Sequence, residues 1–329
     1  MNSLCNEELP VVPRITGAVF LSGPTASGKT DLAVLLARRI NAEIISLDSM
    51  AIYKKMDIGT AKPTMEERAG IPHHLIDIIG PDEEYSLAAY LKEAHRIADG
   101  IRSRGKRVLF AGGTPLYLKG ALRGIFDGPP ADPDFRTAME KEEAENGAGF
   151  LHERLKECDP RTADRLHPND RRRIIRALEV FEKSGRPISY YQQQFDRPAS
   201  AEEAAVFVLD WEREKLYDRI NRRVDQMIEK GLLEEAQLIR NSVPPPGKTA
   251  CQAVGYRELF DYFDEKTSLQ EAIDLIKQHS RNFAKSQGTW FRSLPECRFF
   301  SVAESTDQND LADAILTESA KILDGPDNQ

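Results

Sequence analysis

An α/β fold with a mostly parallel, doubly wound sheet and a helical insertion is predicted for this chain of 329 residues. Three observations predict it. Short apolar runs alternate with amphipathic helical patterns, the signature of a parallel sheet covered on both faces. The segment GPTASGKT sits where the first such run ends and the first helical pattern begins. Between GPPADPDFR and FDRPASAEEA the strand pattern stops, and charged sequence of helical period takes its place.

Taken in order, AVFLSG reads as a strand and DLAVLLARRI as the helix behind it; EIISLD and HHLIDII read as further strands. SLAAYLKEAHRIADGIRSRG is a long helix pattern, RVLFAGG a strand, and AVFVLDW and CRFFSV the last two. EKLYDRINRRVDQMIEKGLLEEAQLI is helical with a stop at Gly231, VPPPGK is a loop by its prolines, and SLQEAIDLIKQHSRNFAKSQGTWFRS is a further helix. The expected division is a core of residues 12–128 and 203–303, an insertion of 129–202, and a tail of 304–329 holding one short acidic amphipathic helix. There is no internal repeat and no low-complexity tract.

The formal net charge of −8 argues against a large nonspecific nucleic-acid binder but leaves room for a local basic patch. No apolar run approaches the roughly 20 residues that span a bilayer, and the opening MNSLCNEELPVVPR is acidic and without an apolar export signal. Neither export nor membrane insertion is expected. Cys5, Cys158, Cys251 and Cys297 are widely spaced and form no C-x-x-C pair, which fits a reducing cytosol.

Gly23, Pro24, Thr25, Ala26, Ser27, Gly28, Lys29 and Thr30 make a G-x-x-x-x-G-K-T loop between strand and helix, so backbone N–H groups and the helix dipole converge on an anion. Average residue usage yields this pattern by accident about once per hundred such chains, and the flanking elements lower that further. In such a loop Lys29 neutralises terminal phosphate oxygens and the Thr30 hydroxyl ligates Mg²⁺. A kinase or ATPase usually ends a second strand in an aspartate. Here RVLFAGGT ends in Gly112, Gly113 and Thr114, while Asp48 closes EIISLD. Asp48 is therefore open to three readings: a metal-side aspartate, a general base, or a turn residue. The loop by itself says that phosphate binds and not what is done with it.

Beyond the loop, the chain resembles the tRNA dimethylallyltransferases (isopentenylpyrophosphate transferases) of bacterial type over nearly all of residues 15–300. The resembling stretches are GPTASGKT, DSMAIYKKMDIGTAKPT, GIPHHLIDI, AGGTPLYLKGAL, HPNDRRRIIRALEV, QAVGYREL and QGTWFR. The resemblance implies a P-loop nucleoside-triphosphate-hydrolase-like core, Mg²⁺, and a helical insertion that grips the anticodon arm of tRNA. It implies transfer of a dimethylallyl group from dimethylallyl diphosphate to the exocyclic N6 amine of the adenosine just 3′ of the anticodon. The loop would then hold a leaving group.

An adenine amine is a weak nucleophile, so a base that receives its proton matters, and Asp48 is the candidate. Thr114 is placed to bond the amine or orient Asp48, or serves the turn alone. Arg223, four residues from Arg219 and so on the same helix face, matches the family's diphosphate-contacting arginine; a solvated charge paired with Asp218 or Asp225 is the alternative. RNA contact is implied for Asp48, Ser49, Met50 and Ala51, for Thr114 and Arg136, for Arg172, Arg173, Ile174, Ile175 and Arg176, and for Gln252, Ala253, Val254, Gly255, Tyr256 and Arg257. By spacing alone the arginines of RLHPNDRRRIIR, and the stripe Lys277, Arg281 and Lys285, are equally solvated faces.

Gly255 suits a tight turn or a close approach, and Tyr256 either stacks or packs. His73 and His74 lack a third metal ligand at useful spacing. Phe283, Trp290 and Phe291 read as core. The family's basic residue before QGTWFR is Ser286 here, the segment KEEAENGAGF is acidic, and no zinc finger follows residue 300. A monomeric, cytoplasmic enzyme is the expectation. The rivals are an isopentenyltransferase acting on free adenine nucleotides, a P-loop kinase, and a nonenzymatic RNA-binding module.

Overall fold

Parallel pairing of the apolar runs, each buried along nearly its whole length, organises the molecule. The computed structural model describes residues 11–192, 198–200 and 204–323. Its strands are β1 (Val11–Val12), β2 (Ala18–Ser22), β3 (Ala42–Ser46), β4 (His73–His74), β5 (Arg107–Ala111), β6 (Ile125–Phe126), β7 (Ala204–Trp211) and β8 (Cys297–Val302). Six of them form one sheet in the order β4-β3-β5-β2-β7-β8, and every neighbouring pair is parallel. Parallel strands need long crossovers, and the helices that provide them cover both faces. Val19, Leu21, Phe207 and Leu209 therefore bury against the helices Lys29–Arg39 and Gln308–Leu323. Phe20 and Phe110, out of phase by one residue, point the other way and stack with ring centroids 4.8 Å apart.

The described residues fall into two compact units. One comprises residues 15–122, 198–200 and 204–323 and contains the sheet; the other comprises residues 11–14 and 123–192. The second unit is helical, apart from an antiparallel pairing of β1 with β6 that the sequence reading lacked. Its helices Pro133–Asn146, Phe150–Cys158, Pro160–Ala163, Arg171–Ser184 and Ile188–Tyr191 enclose a core containing Met139, Leu151, Leu155, Ile174, Ile175 and Leu178. In the sheet unit a second cluster joins Ile52, Tyr53 and Met56 to the helices Leu232–Arg240, Tyr256–Phe263 and Leu269–Arg292.

Two details depart from expectation. The strand read at HHLIDII is only His73–His74, because Leu75 and Asp77 take positive φ values of 59° and 58° and turn the chain out of the sheet. The segment read as an appended tail is, over Gln308–Leu323, part of the core, with Leu311, Ala312 and Ile315 buried against the sheet unit. The expected insertion boundary at 202 and the tail beyond 323 lie outside the described residues. Among the described residues no helix is long and apolar enough to cross a membrane.

Candidate functional site

The adjacent strands β3, β5 and β2 end in register, with Ala111 facing Ser46 on one side and Leu21 on the other. Their following loops, Gly23–Gly28 after β2, Leu47–Ala51 after β3 and Gly112–Thr114 after β5, consequently leave the same edge of the sheet. Ligand sites of open α/β sheets form at such carboxyl ends.

Gly28, in the left-handed region at φ 87°, turns the first loop directly into the helix Lys29–Arg39. The loop is braced from three sides. The Trp211 indole N–H donates to Ser27 O at 3.0 Å, the Arg219 Nε–H donates to Ala26 O at 2.9 Å, and Gln287 Oε1 accepts from the Thr25 N–H at 3.0 Å. The Arg219 guanidinium also lies 4.3 Å over the Trp211 ring. Lys29 Nζ folds back on the loop, donating to Pro24 O at 2.6 Å and to Ser27 Oγ at 3.2 Å.

Charge at this edge is unbalanced. Burial, and after it the Arg223 guanidinium, lower the Lys29 ammonium to about 7, with the Asp48 carboxylate opposing. Burial likewise holds Arg223 below its ordinary value, Asp48 and Glu67 opposing and Arg219 adding to the shift. Cations crowded enough to disfavour one another's charge favour the arrival of an anion.

Asp48 begins a turn in which its Oδ1 accepts the N–H groups of Met50 at 2.8 Å and Ala51 at 3.2 Å, while Oδ2 has no protein partner among the described residues. Thr114 holds that turn from the next strand. Its N–H donates to Leu47 O at 3.0 Å, and its Oγ1 accepts the Ser49 N–H at 3.0 Å. Thr30 Oγ1 makes no hydrogen bond to the protein among the described residues, and no cluster of three or more His, Cys, Asp or Glu is arranged to hold a metal there.

In the helical unit Arg172 is exposed and unpaired among the described residues, and Arg173 is exposed and bonded to Asp170 at 3.0 Å. Arg136 and Arg176 converge on the fully buried Glu179, at 2.9 Å and 2.5 Å. Ile174 and Ile175 are 1% and 4% exposed. Helical period places them on the apolar face, beside the arginines of the stretch for which the resemblance implies RNA contact. In the sheet unit Ala51, Ala253 and Tyr256 are likewise buried. Tyr256 packs in the core and donates to Glu235 Oε1 at 2.6 Å. Gln252 and Arg257 are exposed and Val254 half-buried. Gly255, at φ 101°, makes the tight turn that starts the helix Tyr256–Phe263, a conformation other residues rarely adopt.

Of the second basic stripe, Lys277 pairs with Asp225 at 2.6 Å and Arg281 bonds Asn221 at 2.6 Å, while Lys285 is exposed. Asp225 is thus engaged elsewhere than with Arg223. Phe291 is core as expected, but Phe283 is 47% exposed. His74 bonds Glu43 at 2.7 Å and His73 bonds Ile71 O at 2.8 Å. Sequence reasoning assigned no role to Gln287, Trp211 or Glu235; QGTWFR and AVFVLDW were the available signals, while Glu235 lay in an ordinary helical pattern.

A family model described as IPP transferase matches residues 51–294, and one described as Isopentenyl transferase matches residues 17–77. The chain is 42% identical over 322 residues to the tRNA dimethylallyltransferase of Rhodopirellula baltica, covering 95% of this chain and 96% of the relative. Among solved structures, the tRNA isopentenylpyrophosphate transferase of Bacillus halodurans is similar at 40% identity and a TM-score of 0.69, over 93% of this chain and 97% of that one. A eukaryotic dimethylallyltransferase, described as acting on tRNA, is similar at 28% identity and a TM-score of 0.80, over 94% of this chain and 80% of that one. With its phosphate loop, strand-end aspartate and family motifs in one order, the chain belongs to the tRNA dimethylallyltransferase (IPP transferase) family.

Proposed function

We propose that the chain transfers the dimethylallyl group of dimethylallyl diphosphate to the exocyclic N6 amine of the adenosine immediately 3′ of the anticodon in tRNA, releasing diphosphate. The observation that carries this reading is the concentration of Lys29, Arg223 and Arg219 around a phosphate loop at the sheet edge where β3 leads to Asp48, while β5, between β3 and β2, ends in Gly112–Gly113–Thr114. A core of the P-loop nucleoside-triphosphate-hydrolase type is used to bind a leaving group.

The diphosphate sits against the N–H groups of the Gly23–Thr30 loop, with Lys29 and Arg223 stabilising the charge that develops as the allylic C–O bond breaks. As the new C–N bond forms, Asp48 Oδ2 receives the N6 proton, while the Met50 and Ala51 N–H groups hold Oδ1 in place. Such a base contributes about 10²–10⁴-fold. Thr114 fixes the turn through Ser49. The Thr30 hydroxyl, with no hydrogen-bond partner among the described residues and no carboxylate cluster beside it, would hold a Mg²⁺ shared with the diphosphate. When bound, that ion neutralises charge on the leaving group.

The target base must leave the stack of the anticodon loop to reach a pocket. Exposed Arg172 and Arg173 of the helical unit are suited to hold that RNA, and the enzyme acts as a cytoplasmic monomer. The Isopentenyl transferase match over residues 17–77 spans the loop and Asp48, so transfer to a free adenine nucleotide is the second reading. Labelled dimethylallyl diphosphate and Mg²⁺ without ATP, offered an anticodon stem-loop or AMP, separates the two. Label in the RNA alone is expected; label in AMP favours the second reading, and label in neither overturns both.

A further inference from the structure

The reaction needs the allylic carbon held between two loops that belong to different strands. The distance from the Gly23–Thr30 loop to the Asp48 turn therefore sets how closely carbon and amine approach. At their base the phosphate loop and the Gly112–Thr114 turn are tied by Ser22 Oγ, which donates to Gly112 O at 2.7 Å, and further out they are bridged by Gln287. Gln287, near the end of the helix Leu269–Arg292, is 3% exposed. Its Oε1 accepts the Thr25 N–H at 3.0 Å, and its Nε2 donates to Gly113 O at 2.6 Å. The next residue, Thr114, accepts the Ser49 N–H at 3.0 Å, and Asp48 is Ser49's neighbour.

The orientation of the Gln287 amide follows from its partners. The Thr25 N–H can only donate and the Gly113 carbonyl can only accept, so the side chain must offer one acceptor and one donor. A carboxylate offers two acceptors and a thioether offers neither. The fit is close on the Gly113 side, where a Cβ would lie 2.7 Å from the Gln287 amide nitrogen. Trp211 and Arg219 also brace the phosphate loop, but through its outer carbonyls at Ser27 and Ala26, and neither bonds the Gly112–Thr114 turn.

We propose that Gln287 is a positioning residue for the transfer: it fixes the spacing between the leaving-group loop and the turn that carries Asp48. This rests on the transferase reading above. A misplacement of about 1 Å between reacting groups costs on the order of 10²-fold in rate, and without Gln287 the phosphate loop and the Gly112–Thr114 turn are tied only at their base, by Ser22 Oγ and the Gly112 N–H.

The test compares Gln287→Met and Gln287→Glu with wild type in transfer of labelled dimethylallyl to an anticodon stem-loop. Expected for Gln287→Met is a kcat lower by about 10²-fold, with the KM for dimethylallyl diphosphate changed less than about threefold, because the loop's other N–H groups remain. Gln287→Glu supplies the discriminating readout. Ionised, it cannot donate to Gly113 O; protonated, its O–H donates there while its carbonyl accepts from Thr25. Its kcat relative to wild type should rise about tenfold or more from alkaline to mildly acidic pH. The Gln287→Met ratio should stay flat. Lys29, Arg223 and Asp48 face this edge in all three proteins, so their contribution is common to these ratios.

Hydrogen exchange on the unliganded proteins reads the same bridge without activity. Peptides covering Thr25 and covering Gly113–Thr114 should both lose protection in Gln287→Met. Flat Gln287→Glu ratios, or unchanged exchange in both segments, would overturn the proposal. Wild-type protein that leaves the RNA unlabelled would sink the transferase reading instead, and the exchange result would still decide whether the bridge exists.

Discussion

Glu235→Ala should destabilise the sheet-bearing unit, because this one carboxylate accepts four donors. Glu235 Oε2 accepts the N–H groups of Asp57 and Ile58, both at 2.8 Å, and Oε1 accepts the Gly59 N–H at 3.0 Å and the Tyr256 O–H at 2.6 Å. One carboxylate thus closes the loop at the start of DIGTAKPT onto the helix Tyr256–Phe263. Burial first, and then the Glu235 charge, push the Tyr256 phenol well above its ordinary value, so it stays a donor. Asp57 is exposed, and water can replace Glu235 at its N–H. The Tyr256 hydroxyl and the Gly59 N–H have less access, and a buried donor without a partner costs about 1–3 kcal/mol. Two such donors place the loss at about 2–6 kcal/mol. Glu235→Gln keeps an oxygen for Asp57 and Ile58 and lets the Tyr256 hydroxyl turn to accept from the amide, leaving only Gly59 opposed, for about 1–3 kcal/mol. Urea unfolding followed by tryptophan fluorescence reports this unit, since Trp211 and Trp290 both belong to it. A midpoint change worth less than about 1 kcal/mol for Glu235→Ala, at unchanged slope, would refute the reasoning.

The depressed Lys29 makes diphosphate binding proton-coupled. The empty site holds Lys29 near 7 and a bound anion restores its charge, so binding takes up protons above that pH and weakens as pH rises. Calorimetry near pH 8, in buffers of unequal ionisation enthalpy, should give about one proton more for wild type than for Lys29→Met; equal uptake would mean the lysine is already charged. The same shift, with the unfolded value the higher, predicts that the unliganded protein gains stability as pH rises above 7. Asp48→Ala should lower turnover by about 10²-fold or more while RNA affinity stays within a few-fold; normal turnover with lost RNA binding would make Asp48 a contact instead of a base. Arg172→Ala combined with Arg173→Ala should weaken stem-loop binding and flatten its salt dependence, and unchanged affinity at low salt would reduce the patch to a solvated face.

Much of this protein is legible in one dimension because its signals are local. The strands show as apolar runs since both faces of a parallel sheet are buried, and GPTASGKT shows because a phosphate loop needs its glycines, lysine and threonine consecutively. Ile174 and Ile175 are legible too: they stand among arginines suited to RNA, and helical period already turns them into the core. HHLIDII is as apolar as its neighbours, and only the positive φ values of Leu75 and Asp77 end it after two residues.

The sequence by itself determined the fold class, the family, the anion-binding loop and the candidacy of Asp48. Tertiary structure alone decided which distant groups serve them. Gln287 lies 262 residues from Thr25 and 174 from Gly113, and Glu235 lies 176 to 178 from the loop it closes. A buried donor or acceptor must find its partner wherever the fold brings one, and no pattern of neighbours along the chain records that pairing.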